Sequence, residues 1–445
     1  MEEGREYKDT VQKLFTFIEE SPSQYHAVDT MRKHLEAAGY EQLLESEAWK
    51  LKSGGKYYVI RSGSSLIAFR IPAQDSQNYC GFQIVASHSD SPSFKIKTNP
   101  EMNVEEHYVK LNVEKYGGML CAPWLDRPLS VAGRVVVQTE EGIATKLVNV
   151  DRDLLIIPNV AIHMNRQVND GYAFNAQVDM LPLFCEQGEE KNQFMQLIAD
   201  EAAVQVEDIL DTDLFLYNRM KGTTLGLHGE FIASGRLDDL QCAFASLKGF
   251  LAAELKQSIA VHCVYDNEEV GSGTKQGAAS TFLKDTLQRI SRAMGRSEEQ
   301  YLMSIASSFM VSADNAHAVH PNHAEKADPT NRPYMNRGIV IKYSANQKYT
   351  TDGVSGAVMR AICKKAAVPC QTFTNRSDML GGSTLGNISQ AQVALNTVDI
   401  GLPQLAMHSP YETAGSKDMA YMEKAFEEFF KSAIRAEGDG TLVLE

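Results

Sequence analysis

Val11, Leu14, Phe15 and Ile18 fall at i, i+3, i+4 and i+7, one apolar stripe that predicts an amphipathic helix near the start of the chain. A second helix is predicted from about Ser23 to Ala38, with Gly39 at its C-terminal boundary. Strand-like runs come next at YYVI (57–60), LIAFR (66–70) and FQIVAS (82–87). Between residues 98 and 229 the character changes: KLNVEKYGG, VAGRVVVQTE, GIATKLVNV and DLLIIPNVAIHM are short β-like runs broken by Gly, Pro and Asn. After Gly235, helix and strand alternate again. A helix starts near Leu237, with Leu240, Ala243, Phe244, Leu247 and Leu251 at helical spacing. Strands are predicted at SIAVHCVY (258–265), SFMVSA (308–313), GIVIKYS (338–344), CQTFTN (370–375) and QLAM (404–407). The expected architecture is α/β, a mostly parallel sheet flanked by helices. Residues 1–97 and 230–445 would build it, with 98–229 as a β-rich insertion. No internal repeat or low-complexity linker interrupts the pattern.

Composition narrows the field. A chain of 445 residues with 43% hydrophobic and 22% charged positions is long enough for two or three domains and a sizeable core. The 57 Asp+Glu against 43 Lys+Arg leave a net charge of -14, which argues against a nucleic-acid or anionic-membrane partner. Seven scattered cysteines, none spaced as C-x-x-C, indicate neither a disulfide framework nor a cysteine zinc site. The charged N-terminal stretch does not read as a signal peptide, and no window approaches the roughly 18 apolar residues of a membrane span. A cytoplasmic location is expected.

The chemistry is concentrated at the carboxyl ends of the strands. FQIVAS runs into His88-Ser-Asp90, SIAVHCVY into Asp266-Asn-Glu268-Glu269, SFMVSA into Asp314, and QLAM into His408, while Asp238 and Asp239 open a helix. In open α/β sheets this edge is where ligands bind. Taken singly, each residue has a plain alternative: an Asp capping its helix, a structural histidine, a solvated Glu-Glu turn. Taken together, two imidazoles and several carboxylates on one sheet edge would repel one another unless cations neutralised them. The set suits two divalent, zinc-like ions, an arrangement used by aminopeptidases and phosphatases. H-E-x-x-H and G-x-S-x-G are both absent, and GSGTKQG (271–277) and GGSTLG (381–386) match no phosphate-loop fingerprint.

Motifs spread over residues 7 to 430 carry a family likeness. They include SPSQYHAV (21–28), ASHSDSPSFKIK (86–97), YGGMLCAPWLDRPLSVAGRV (116–135), IPNVAIHMNR (157–166), SGRLDDL (234–240), DNEEVGSGT (266–274), SADNAHAVHPN (312–322), VIKYSANQKYTT (340–351) and QLAMHSPYE (404–412). In this order they resemble the aspartyl aminopeptidases, dinuclear zinc peptidases that remove acidic N-terminal residues. The resemblance implies one zinc on His88, Asp238 and Asp314, a second on Asp238, Glu269 and His408, and Glu268 as general base; cobalt or manganese are alternative ions. Asp90 would orient the His88 imidazole. His163 matches a histidine that reaches a neighbouring subunit's active site in a homo-oligomer, a tetrahedral dodecamer built from dimers. Lys342 would pair with the acidic side chain of the peptide substrate, and His317, His320 and His323 take loop or supporting roles. Two departures from the eukaryotic pattern bear on the substrate pocket: LDDL where LDNL is expected, and SDMLGGSTLG in place of a Pro-Cys step. An aminopeptidase of different preference, a deacylase, and a non-catalytic assembly or cargo protein are the alternatives. The unliganded carboxylate expected at Glu268 argues against the last.

Overall fold

The computed structural model describes residues 2–74, 76–188 and 191–445. Its centre is a nine-stranded sheet of β1 (Glu41–Gln42), β2 (Lys56–Arg61), β3 (Ser65–Arg70), β4 (Phe82–His88), β5 (Ile259–Tyr265), β6 (Phe309–Ala313), β7 (Ile339–Tyr343), β8 (Cys370–Thr374) and β9 (Asn396–Gly401), in the order β1-β2-β3-β5-β4-β6-β9-β7-β8. The four central strands β5, β4, β6 and β9 are mutually parallel, so their carboxyl ends share one edge. Every residue of β4, β5 and β6 is buried, as expected for strands covered on both faces.

Alternation along β5 shows how the faces are made. Ala260 and Val264 join a core with the helices Glu2–Glu19, Gln24–Ala37, Leu237–Ala252, Gly353–Lys365 and Asp418–Lys431. Ile259, Val261 and Cys263 point to the opposite core, under Phe282, Leu287 and Ile290 of the helix Phe282–Ala293. The predicted N-terminal stripe holds: Val11, Leu14, Phe15 and Ile18 are all buried in the first of these cores.

A second sheet of six antiparallel strands runs in the order Gly142–Asn149, Leu129–Thr139, Ile209–Asn218, Ser93–Val104, Tyr108–Tyr116, Leu183–Glu186. Its core gathers Phe94, Leu111, Trp124, Val131, Val135 and Leu214 beneath Phe194 and Ile198 of the helix Gln193–Ala202. Ser93, where this sheet begins along the chain, lies just after His88, so the sheet starts beside the carboxyl edge of β4.

The run 404–407 departs from expectation. It was expected as a strand of the main sheet, yet Pro403–Leu405 belongs to a separate five-stranded sheet with Thr223–Leu225, Phe231–Ser234, Glu412–Gly415 and Ala316–His317. A short apolar run carries no information about which edge it will pair with. This small sheet brings His408 to the cluster from the side.

Candidate metal centre

His88 is the last residue of β4, Glu268 and Glu269 come after β5, and Asp314 comes after β6. Asp238 and Asp239 lie at the start of the helix Leu237–Ala252, but their dihedrals are not helical and neither side chain caps it. The capping alternative therefore fails, because both carboxylates turn away from the helix end toward the sheet edge. His88, Asp238, Asp239 and Asp314 each place one ligand-type atom within 4.8 Å of the others, and Asp238, Glu269 and His408 do the same. Asp238 belongs to both groups: its Oδ1 is 3.5 Å from His88 Nε2 and its Oδ2 is 3.5 Å from His408 Nε2. Glu269 Oε2 lies 3.3 Å from the same His408 nitrogen.

Burial sets the electrostatics. Desolvation pushes Glu268 up to about 8, reinforced by the charges of Asp314, Asp90 and Asp238 against the counter-pull of His88. Burial likewise raises Glu269, Asp239 and Asp314. Burial opposes the charged form of His408, but Asp238 outweighs it and lifts the imidazole to about 9. His88 is raised in the same way, burial being overcome by Asp238, Asp239 and Asp90. Asp238 alone is lowered: the two imidazoles overcome the cost of its burial.

The residues fit divalent cations. Asp238 Oδ1, Asp239 Oδ1 and Glu269 Oε1 are buried without a hydrogen-bond donor, a costly state for a carboxylate in a protein interior. Imidazole and carboxylate are the donors that suit zinc, and a cation would satisfy these oxygens and relieve the crowding of like charges.

Asp90 holds the edge in order. Its Oδ1 accepts from Glu268 N (3.2 Å), and its Oδ2 from Glu269 N (3.1 Å) and the Tyr116 hydroxyl (2.7 Å). Its backbone oxygen is 3.1 Å from His88 Nδ1, which leaves Nε2 facing the cluster. Two partners come from the six-stranded sheet and the loop after it: Tyr116, and Gly118, whose carbonyl oxygen is 2.5 Å from His408 Nδ1.

Two residues stand differently from the rest. His163 is exposed on the turn 161–165, beside exposed Val160, Ile162 and Met164, and is not among the clustered residues of its own chain. Lys342 is buried on β7, an interior strand, and donates to the carbonyl oxygens of Asp314 (2.7 Å) and Asn315 (3.3 Å). Its ammonium is held above its usual range: burial opposes the charge, but Asp314, Tyr349 and Asp399 outweigh it. His317, His320 and His323 line an open cavity of about 320 Å³ with Lys326 and Met407 and join no ligand group among the described residues.

Sequence reasoning placed Asp239 beside Asp238 at the sheet edge but gave it no ligand role, and it did not single out Tyr116, Gly118 or Glu412 as supports. Asp239 carried a signal, since LDDL puts a carboxylate where LDNL was expected. The others lie within quoted motifs, yet nothing in their local pattern marks them.

A mostly parallel sheet that gathers imidazoles and carboxylates at its carboxyl edge is the build of a metal-dependent hydrolase. The chain belongs to the aminopeptidase I zinc metalloprotease (M18) family, whose sequence profile matches residues 17–430. It is 48% identical over 423 residues to a probable M18 family aminopeptidase 2 of Clostridium acetobutylicum, covering 94% of this chain and 98% of that one. A protein of the same description from Pseudomonas savastanoi pv. phaseolicola is 39% identical over 424 residues, with 94% and 97% covered. Among solved structures, one from the Ape4 and Nbr1 complex aligns with a TM-score of 0.92 at 35% identity, over 96% of this chain and 86% of that chain. A chain of the S. cerevisiae mApe1 dodecamer aligns with a TM-score of 0.83 at 28% identity, over 96% and 97%. The protein is a zinc metallo-aminopeptidase of this family.

Proposed function

We propose that this aminopeptidase uses two divalent ions, most naturally zinc, to release N-terminal residues from peptides, with a preference for Asp and Glu. The observation that carries the reading is the Asp238 carboxylate, whose two oxygens face the imidazoles of two different ligand groups at equal distance. His88, Asp238 and Asp314 hold one ion; Asp238, Glu269 and His408 hold the other. When bound, the ions supply Lewis acidity toward a water and the scissile carbonyl. Glu268 takes a proton from the attacking water and passes it to the leaving amine, a role suited to a carboxylate held beside the ligands by the bond from its N–H to Asp90. Asp90 keeps both glutamates and His88 in place.

The acidic preference rests on the family resemblance and on charge: Lys342 adds a buried cation behind Asp314. It acts on the substrate through its field and through the one ammonium proton not given to Asp314 and Asn315. Residues 1–97 and 230–445 form the catalytic unit, with the strand Ser93–Val104 passing from it into 98–229, the unit through which copies associate. His163, exposed among apolar neighbours, reaches a neighbouring subunit and stabilises the developing oxyanion there. The relative described as a dodecamer supports a homo-oligomer, in our reading a tetrahedral dodecamer of dimers. Among the described residues no helix is long and apolar enough to cross a membrane; the cytoplasm as site of action is our reading of the sequence.

Initial rates on Asp-, Glu-, Leu- and Lys-p-nitroanilide with zinc, cobalt or manganese test the reading. Asp and Glu should give the highest kcat/KM; turnover restricted to Leu or Lys would refute the acidic preference. Glu268→Gln should lower kcat by about 10²–10⁴-fold with zinc content unchanged, and near-normal turnover would refute the assigned base.

A further inference from the structure

We infer that Glu412, a residue outside the ligand set, is the positioning carboxylate that presets Asp238 and His408 for their shared cation. Glu412 is buried on the strand Glu412–Gly415 of the small sheet, and it uses both oxygens on backbone rather than on a cation. Oε2 accepts from Asp238 N at 3.0 Å, and Oε1 accepts from His408 N at 2.9 Å. One rigid group thus sets the separation between the backbones of two ligands that are far apart in sequence.

The clamp extends further. Gln404 Nε2 donates to Glu412 Oε1 (3.4 Å), while Gln404 Oε1 accepts from Asn315 Nδ2 (3.0 Å), which also donates to Leu237 O (2.9 Å). Residues adjoining Asp238, Asp314 and His408 are therefore joined beneath the cluster by a single buried polar chain. His408 also sits at φ 67° and Ala406 at φ 56°. These left-handed values are disfavoured for residues with a Cβ and persist only where surrounding contacts impose them. The Glu412 bond to His408 N is such a contact. A carboxylate is the right group, because it can accept two N–H bonds in fixed directions. A glutamine presents an NH₂ to one of those two donors.

The inference rests on the assignment of Asp238 and His408 as ligands, and the test separates the two. Chelated wild type, Glu412→Gln, Glu412→Asp and His408→Ala would be titrated with zinc against a chromophoric competitor, and the melting of each metal-free protein monitored by circular dichroism. Groups that orient metal ligands are worth about 10–100-fold in affinity. Glu412→Gln should weaken zinc by that factor, while its metal-free melting stays cooperative and falls by only a few degrees for the one buried donor left unpaired. Its kcat should fall at limiting zinc and recover in excess, with KM unchanged. Glu412→Asp, which keeps the charge one methylene shorter, should fall between. Wild-type zinc affinity in Glu412→Gln, alongside weakened binding in His408→Ala, overturns the role of Glu412 alone. Equal affinity in wild type and His408→Ala overturns the ligand assignment beneath it. A metal-free Glu412→Gln protein that has lost cooperative melting places Glu412 in the fold at large, which also refutes the inference.

Discussion

Gly401 closes strand β9 against the segment that carries Asp314, and replacing it with alanine should damage the metal centre from outside it. A Cβ at 401 would stand 2.1 Å from Asp314 O and 2.9 Å from both Ala316 N and the Asn315 carbonyl carbon. These atoms are not free to yield. Asp314 N donates to Ile400 O (3.1 Å) and Ala316 N donates to Leu402 O (2.8 Å), so the segment is fastened on both sides of the intruding methyl. Relief to an ordinary contact needs a shift of more than about 1 Å, in a core packed too densely to absorb it. Overpacking of this kind costs about 1–3 kcal/mol, a fall of a few degrees in Tm. The functional cost is larger, since a 1 Å misplacement at a reacting centre is worth about 10²-fold in rate. The Gly401→Ala protein should be assayed for zinc affinity, kcat and melting beside Gly353→Ala. At Gly353 a Cβ would meet nothing within 4 Å, at the first residue of the helix Gly353–Lys365. That control should be neutral or slightly stabilising. Gly401→Ala with wild-type zinc affinity and turnover would refute the claim that close packing behind Asp314 sets its position.

His262, Lys342 and the empty-handed carboxylates of the cluster each have a measurable consequence of their own. His262 is buried, its Nδ1 2.8 Å from Ser246 Oγ, and burial pushes its imidazole down to about 3. The folded state therefore binds fewer protons than the unfolded one between about pH 6.5 and 3, so stability falls as pH drops through that window; the cost is about 2 kcal/mol at pH 5. Urea midpoints of chelated His262→Asn should fall less steeply with acid than those of wild type, and equal slopes would refute the assignment. Lys342→Met leaves the Asp314 and Asn315 carbonyls without their donor, at about 1–3 kcal/mol for each group left unmade. It should lower Tm, loosen zinc and narrow the Asp-over-Leu ratio, and an unchanged ratio would remove Lys342 from substrate selection. Zinc in 100-fold excess over its Kd should raise the stability of the chelated protein by about 2.7 kcal/mol per site, so a Tm unmoved by zinc would argue against binding within the fold.

The hydrophobic pattern alone carried much of this molecule. Continuous apolar runs such as FQIVAS and period-3.6 stripes such as Val11 to Ile18 state which residues must be buried, and that is a local property of the chain. The chemical types at strand ends were equally legible, because a parallel sheet places its carboxyl ends on one edge whatever covers its faces. What the chain could not state locally is which partner each face or edge meets. The strand before His408 read like any other short apolar run, and only tertiary pairing put it in the small sheet. Asp238 and Asp239 are adjacent and identical in type; the backbone between them sends one toward both imidazoles and the other to His88 N. Nothing in the local pattern around Lys342 stated that its ammonium would be buried against the Asp314 carbonyl. Glu412 was silent in sequence because its work is to join backbones distant along the chain. The types of donor at the centre were thus determined by the sequence, while their spacing, protonation and support were decided by tertiary structure, since burial and long-range register exist only once the chain has folded.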